Sequence, residues 1–137
     1  METETHIIVR YAETDRMRIA HHSNYSIWFE AGRTEFLKKA GTSNSDIEDK
    51  GILLPLSHLE CDFKSPANYE DEIVVKTKIK KMTAARIEFQ YIVLNNNNGK
   101  LIATGNTTHA WTDKTLKVFN IEKKESKINQ MLKAAMN

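Results

Sequence analysis

The amino-acid sequence predicts an α+β fold, with one long buried helix lying on an antiparallel sheet. Three observations carry this. A single helical pattern runs from Tyr25 to Ala40, strand-like runs joined by short turns fill the chain after Pro55, and Asn95 to Gly99 (NNNNG) is a hairpin signal.

The elements follow in order. His6 to Tyr11 (HIIVRY) is a β-branched run that reads as a first strand. From Tyr25 onward the period becomes helical, with Ser23 or Asn24 as the expected N-cap and Gly41 as the stop. Tyr25, Trp28, Phe29, Gly32, Phe36 and Ala40 share one face of that helix. Glycine in mid-helix costs roughly 1 kcal/mol relative to alanine, so Gly32 implies close approach of a neighbouring backbone. Thr42 to Leu54 is loop-like with room for a short helical turn. Beyond Pro55, Leu59, Cys61 and Phe63 alternate with polar residues and are expected to face inward. Ile73, Val75, Thr77 and Ile79 form the next apolar set, opposite a face bearing Lys76, Lys78 and Lys80; Ile87, Phe89, Tyr91 and Val93 form another. Leu101 to Thr112 is the last strand. Ile128, Met131, Leu132 and Ala135 recur at helical spacing and predict a C-terminal surface helix from about residue 122.

Composition narrows the class. A chain of 137 residues is expected to form one domain, and its net charge of +2, with acids and bases interspersed, gives no nucleic-acid footprint. The amino terminus does not read as a secretory leader, and no window is apolar enough for a membrane span. A single cysteine excludes an internal disulfide and fits a reducing compartment, so a cytoplasmic location is expected.

The chemistry concentrates in ETDRMRIAHHSNY, residues 13 to 25. Glu13, Asp15, His21 and His22 lack the spacings of a zinc site, and there is no nucleophile elbow, Walker loop or dinucleotide fingerprint. Asp15 precedes His22 by seven positions, and His22 stands at the start of the apolar helix. Unpaired amides at a helix start favour developing negative charge, and a carboxylate facing them acts as base or nucleophile. Together they form the two halves of an acyl-transfer site. The plainer alternative, in which Asp15 and the histidines merely cap turns, stays open on these residues alone. Glu13 is expected to anchor backbone amides or pair with Arg10, Glu30 to pair with Arg33, and His109 and Cys61 to be core residues.

The blocks VRYAETD (Val9 to Asp15) and HSNYSIWFEAGRTE (His22 to Glu35) resemble the 4-hydroxybenzoyl-CoA thioesterase family of hotdog-fold proteins, and most closely its bacterial acyl-CoA thioesterases. GILLP (Gly51 to Pro55), FKSPANYEDEI (Phe63 to Ile73) and ATGNTTHAW (Ala103 to Trp111) extend the resemblance over nearly the whole chain. It implies a five-stranded antiparallel sheet wrapped around a central helix, and hydrolysis of an acyl-CoA to a carboxylic acid and CoA without metal or redox cofactor. Hydrolysis of acyl groups from acyl carrier protein, or non-catalytic acyl-CoA binding, are the alternatives. By this resemblance Asp15 is the catalytic carboxylate, the amide of His22 polarises the thioester carbonyl, and Tyr25 lines the acyl pocket. His58 and Glu60 would be supplied across the interface of a homodimer or homotetramer. Lys64, Lys78, Lys81 and Arg86 are candidate partners for the CoA phosphates. The family commonly has glycine where this chain has Arg18; if that glycine has positive φ, the arginine strains the backbone, and its guanidinium either favours the ionised Asp15 or, the favoured expectation, projects into the acyl pocket and shortens it.

Overall fold

The computed structural model describes residues 1–136. Five strands form one antiparallel sheet: β1 (Thr3–Ile8), β2 (Leu56–Phe63), β3 (Glu72–Met82), β4 (Arg86–Asn95) and β5 (Leu101–Ala110), in the order β1-β3-β4-β5-β2. Helix α1 (Tyr25–Ala40) lies against one face of this sheet, giving the hotdog arrangement. Its expected apolar face is the one buried: Tyr25, Trp28, Phe29, Gly32 and Phe36 are in the core, and Ala40 packs at the margin. Each such large side chain contributes roughly 1.5–3 kcal/mol on burial. A Cβ at Gly32 would collide with Thr77 Oγ1 and press on Val75 Cγ1 of β3, so the close approach the sequence implied is made by side chains of the sheet rather than by its backbone. Phe29 stacks on Tyr91 of β4 at 4.3 Å between ring centres. Gly41 stops the helix at φ 105.

Several expectations shift. The first strand is Thr3–Ile8 rather than His6 to Tyr11. It ends early because the Arg10 amide turns away to donate to Glu13 Oε1 (2.8 Å), which starts a 3-10 turn over Tyr11–Glu13. Neither Ser23 nor Asn24 caps the helix through its side chain. A 3-10 turn over His22–Asn24 extends the helical start backward, and His21 Nδ1 accepts from the Ser23 amide at 3.2 Å instead. Residues 42–54 contain a short helix, α2 (Asn44–Asp49), capped by Ser43. The tail forms two helices, α3 (Ile121–Lys124) and α4 (Ser126–Ala135), whose Ile121, Ile128, Leu132 and Ala135 are buried rather than lying on the surface.

The largest departure concerns β2. Leu59, Cys61 and Phe63 do point to the helix side, opposite Thr107, Gly105 and Ala103 of β5. Yet β2 is an edge strand, and Leu56, Leu59 and Phe63 stay 52%, 43% and 55% exposed. Alternation alone fixes which face a side chain takes, not whether anything covers that face. Among the described residues, no helix is long and apolar enough to cross a membrane.

Candidate active site

The segment between β1 and α1 is held by two carboxylates. Glu13 is buried, and its Oε1 accepts from the Arg10 amide while its Oε2 accepts from Trp28 Nε1 at 2.9 Å. Its backbone carbonyl receives the His21 amide (2.8 Å) and Asn24 Nδ2 (2.9 Å). Burial by itself would raise the Glu13 pKa, but the Arg10 amide, the Trp28 indole and the Arg10 guanidinium together lower it. Glu13 thus anchors Arg10 as expected, and it ties the loop to the helix through Trp28, a role not visible in the sequence.

Asp15 opens a hairpin. The Arg18 amide donates to the Asp15 carbonyl (3.0 Å), Asp15 donates to the Ile19 carbonyl (3.0 Å), and Thr14 bridges to Ala20. Asp15 Oδ1 accepts from the Met17 amide at 2.8 Å, an Asx turn that fixes the carboxylate. Its second oxygen has no donor among the described residues. Arg18 closes the turn at φ 63, the left-handed conformation implied by the family glycine.

A cleft of ≈ 410 Å³ brings Asp15, His22, Tyr25 and Lys64 together, lined also by Met17, Ile19, Ala20, Phe63, Ser65 and Pro66. The His22 amide, first in the helical start, has no acceptor among the described residues, so it is free to donate to an oxygen brought to it. The His22 ring lies 4.0 Å from that of His21. Tyr25 is buried with its ring edge-on to Phe63 at 4.9 Å; burial first, then the nearby Cys61, push its hydroxyl pKa up.

Other candidates lie elsewhere. Arg18 faces a neighbouring cleft rather than the one containing Tyr25, so it does not shorten that pocket. Arg86 pairs with Ala110, seven residues along β5 from the Phe63 partner Ala103, or about 23 Å at ~3.3 Å per residue. It belongs to the far end of the sheet. His58 and Glu60 pair with each other at 2.7 Å on the sheet face away from α1, and that bond first of all lowers the Glu60 pKa. Neither lines the cleft within one chain.

Arg33 donates to the Tyr91 hydroxyl (3.1 Å) and makes no ion pair with Glu30 among the described residues. Tyr91 and His109 both bond Thr107 Oγ1, and His109 Nδ1 meets the Leu54 carbonyl at 3.1 Å. Burial, then the Arg33 charge, lowers His109 to about 4, so it is a neutral core histidine. Burial, then Asp62, pushes the Cys61 thiol up to about 11, which disqualifies it as a thiolate nucleophile.

The family described as the thioesterase-like superfamily matches residues 9–136. The chain is 38% identical over 108 residues to the putative acyl-CoA thioesterase YneP of Bacillus subtilis, spanning 79% of this chain and 78% of that one. It is 34% identical over 115 residues to a putative esterase of Aquifex aeolicus, spanning 84% and 88%. A crystal structure of the DHNA-CoA thioesterase of Staphylococcus aureus superposes with a TM-score of 0.92 at 30% identity, spanning 97% of this chain and 89% of that one. With its five-stranded sheet around α1, the chain belongs to the thioesterase-like superfamily.

Proposed function

We propose that the protein is an acyl-CoA thioesterase, hydrolysing R–CO–S–CoA and water to a carboxylic acid and CoA. The observation that carries the reading is a cleft lined by both Asp15, with one carboxylate oxygen free, and His22, whose amide has no acceptor among the described residues. The thioester carbonyl oxygen accepts from the His22 amide, which holds the oxyanion as the tetrahedral intermediate forms. The free oxygen of Asp15 acts in one of two ways. As general base it takes a proton from the attacking water; as nucleophile it adds to the carbonyl carbon and water then cleaves the anhydride. In either case the C–S bond breaks, and the thiolate leaves with the electron pair and gains a proton. The His22 imidazole at the same cleft is a candidate donor for it. Tyr25, Phe63, Ile19 and Met17 form the apolar wall of the cleft, and Lys64 offers a cation at the rim. Neither metal nor redox cofactor enters this chemistry.

The working unit in this reading is a homodimer or homotetramer, acting in the cytoplasm. The unpaired edge of β2 and its exposed Leu56, Leu59 and Phe63 support it. Pairing there would bring His58 and Glu60 near the partner. Acyl carrier protein is the second reading for the thiol carrier, favoured by the lysines on the outer sheet face. Two of them, Lys76 and Lys80, are already engaged by Glu4 and Glu88 at 3.8 and 3.7 Å, which leaves CoA ahead.

The test is Asp15→Asn, assayed by thiol release against acyl-CoA and acyl-carrier panels. The expected loss in kcat is at least about a hundredfold, the scale of a removed acid–base group. Near-parental turnover would rule out Asp15 as the catalytic group. Sedimentation of the parent is expected to show a dimer or larger, and an active monomer would exclude the shared site.

A further inference from the structure

Asp15 lies on the wall between two clefts. One is the largely apolar cleft of Tyr25 and Phe63; the other, ≈ 330 Å³, is lined by Tyr11, Thr14, Arg16, Arg18 and Tyr69 as well as Asp15. The second is more polar, with two guanidiniums and two phenols beside the Asp15 carboxylate. Its walls are two loops fastened together. The Ala20 amide donates to Ala67 (2.8 Å), Ile19 bridges to Asn68, and the Tyr69 amide donates to the Arg18 carbonyl (3.3 Å). The Tyr11 and Tyr69 rings meet edge to face at 5.7 Å.

Neither arginine is used by the fold. Among the described residues, Arg16 and Arg18 make no ion pair and no side-chain hydrogen bond, while nearby Arg10 is paired with Glu13 at 3.5 Å. Of the acids nearby, Glu13 is occupied by Arg10 and Trp28, Asp71 accepts from the Asn68 amide at 2.8 Å, and Asp15, which lines the cleft, gives one oxygen to the Met17 amide without an ion pair to either arginine. Arg18 also holds φ 63, a conformation unfavourable for most residues with a Cβ. A strained residue whose side chain makes no contact that stabilises the chain points to a role outside the fold. Paired arginines are suited to bind carboxylate or phosphate oxygens.

We propose that the cleft of Arg16, Arg18, Tyr11 and Tyr69 is an anion subsite, which makes this enzyme prefer substrates bearing a carboxylate or phosphate group beyond the thioester. The inference rests on the thioesterase reading of Asp15. The anion has two sources, a carboxylate on the acyl group or the phosphates of CoA. With the thioester at Asp15, the acyl group or the thiol arm extends into this cleft, and the other occupies the apolar one.

The experiment uses non-hydrolysable thioether analogues, titrated calorimetrically into the full chain. Four are compared: an alkyl group ending in methyl or in carboxylate, each on CoA or on pantetheine, which has no phosphate. The variants are Arg16→Gln and Arg18→Asn; asparagine tolerates the left-handed turn, so the backbone is kept. The expected result is that each variant lowers the anionic-to-neutral affinity ratio at least about tenfold, the scale of a lost charge-assisted hydrogen bond. A drop confined to the carboxylate pair assigns the acyl group, and one confined to the CoA–pantetheine pair assigns the phosphates. Ratios that do not change in either pair overturn the subsite. The corresponding thioesters, assayed for hydrolysis in parallel, keep the two claims apart: selective binding without turnover would sink the enzyme and leave the subsite standing.

Discussion

Glu13 and Asp15 are two carboxylates two residues apart in one loop, and the structure uses them in opposite ways. Glu13 is 4% exposed, and each of its oxygens receives a donor, from the Arg10 amide and from the Trp28 indole. Asp15 is half-buried, lines the cleft, gives one oxygen to the Met17 amide and leaves the other without a donor among the described residues. Saturated with donors, a buried carboxylate becomes part of the frame. With one oxygen free, in a residue that lines a cleft together with His22, the same group is available for chemistry. The difference lies in the donors around each acid.

The largest expected effect breaks the frame. Glu13→Ala orphans the Trp28 indole and the Arg10 amide, each worth about 1–3 kcal/mol when left unsatisfied. A stability loss of about 3–5 kcal/mol is therefore expected by denaturant titration, and Glu13→Gln should lose less because it keeps an acceptor. A Glu13→Ala midpoint equal to that of the parent would remove the contrast. Asp15→Asn is expected to leave stability within about 0.5 kcal/mol, since the asparagine carbonyl still accepts from Met17. Its effect appears in turnover alone.

Acid titration sharpens the same contrast. The Glu13 pKa is lowered in the folded state, so the chain with bound proton is disfavoured there. Its stabilisation is fully present above the unfolded value near 4.5 and is lost as pH falls through the lower folded value. His109 acts in a higher window. Its pKa falls from 6.5 to about 4, so the unfolded chain binds the extra proton between those values and stability declines as pH drops across them. Subtracting the Glu13→Gln profile from the parental one isolates the carboxylate. A difference that stays flat below 4.5 would show that Glu13 is not held as proposed.

Much of this was legible in the sequence because local chemistry determined it. The face of α1 and the tight approach at Gly32 follow from residue type and spacing, the left-handed turn at Arg18 only from the glycine of the family it resembles, and the structure has all three. What spacing could not supply was the partner across space. Arg33 sits one helical turn from Glu30 but reaches Tyr91, fifty-eight positions away in the chain. Trp28 reads as a core residue, yet its indole nitrogen serves Glu13. Leu59 and Phe63 read as core on alternation, but β2 is an edge that this chain does not cover. The position of Arg18 in a separate cleft was equally unreadable, because the second wall comes from Tyr69, fifty-one residues downstream.

The smallest expected effect is the most discriminating for the turn that carries Asp15. An L residue in the left-handed conformation costs about 1–2 kcal/mol, while glycine widens the unfolded ensemble by about 0.4–1 kcal/mol. Arg18→Gly should therefore stabilise the protein by at most about 1.6 kcal/mol, raising Tm by no more than about 5 °C for a chain of this size. Arg18→Ala retains the strain and removes only the guanidinium, so its Tm should match the parent. If both variants instead lose stability, the guanidinium holds the hairpin, and Arg18 belongs with Glu13 to the frame. If glycine gains and alanine is neutral, the strain at φ 63 is relieved by nothing inside the chain. The turn then resembles Asp15 rather than Glu13: shaped by the fold, with its side chain left free for what enters the cleft.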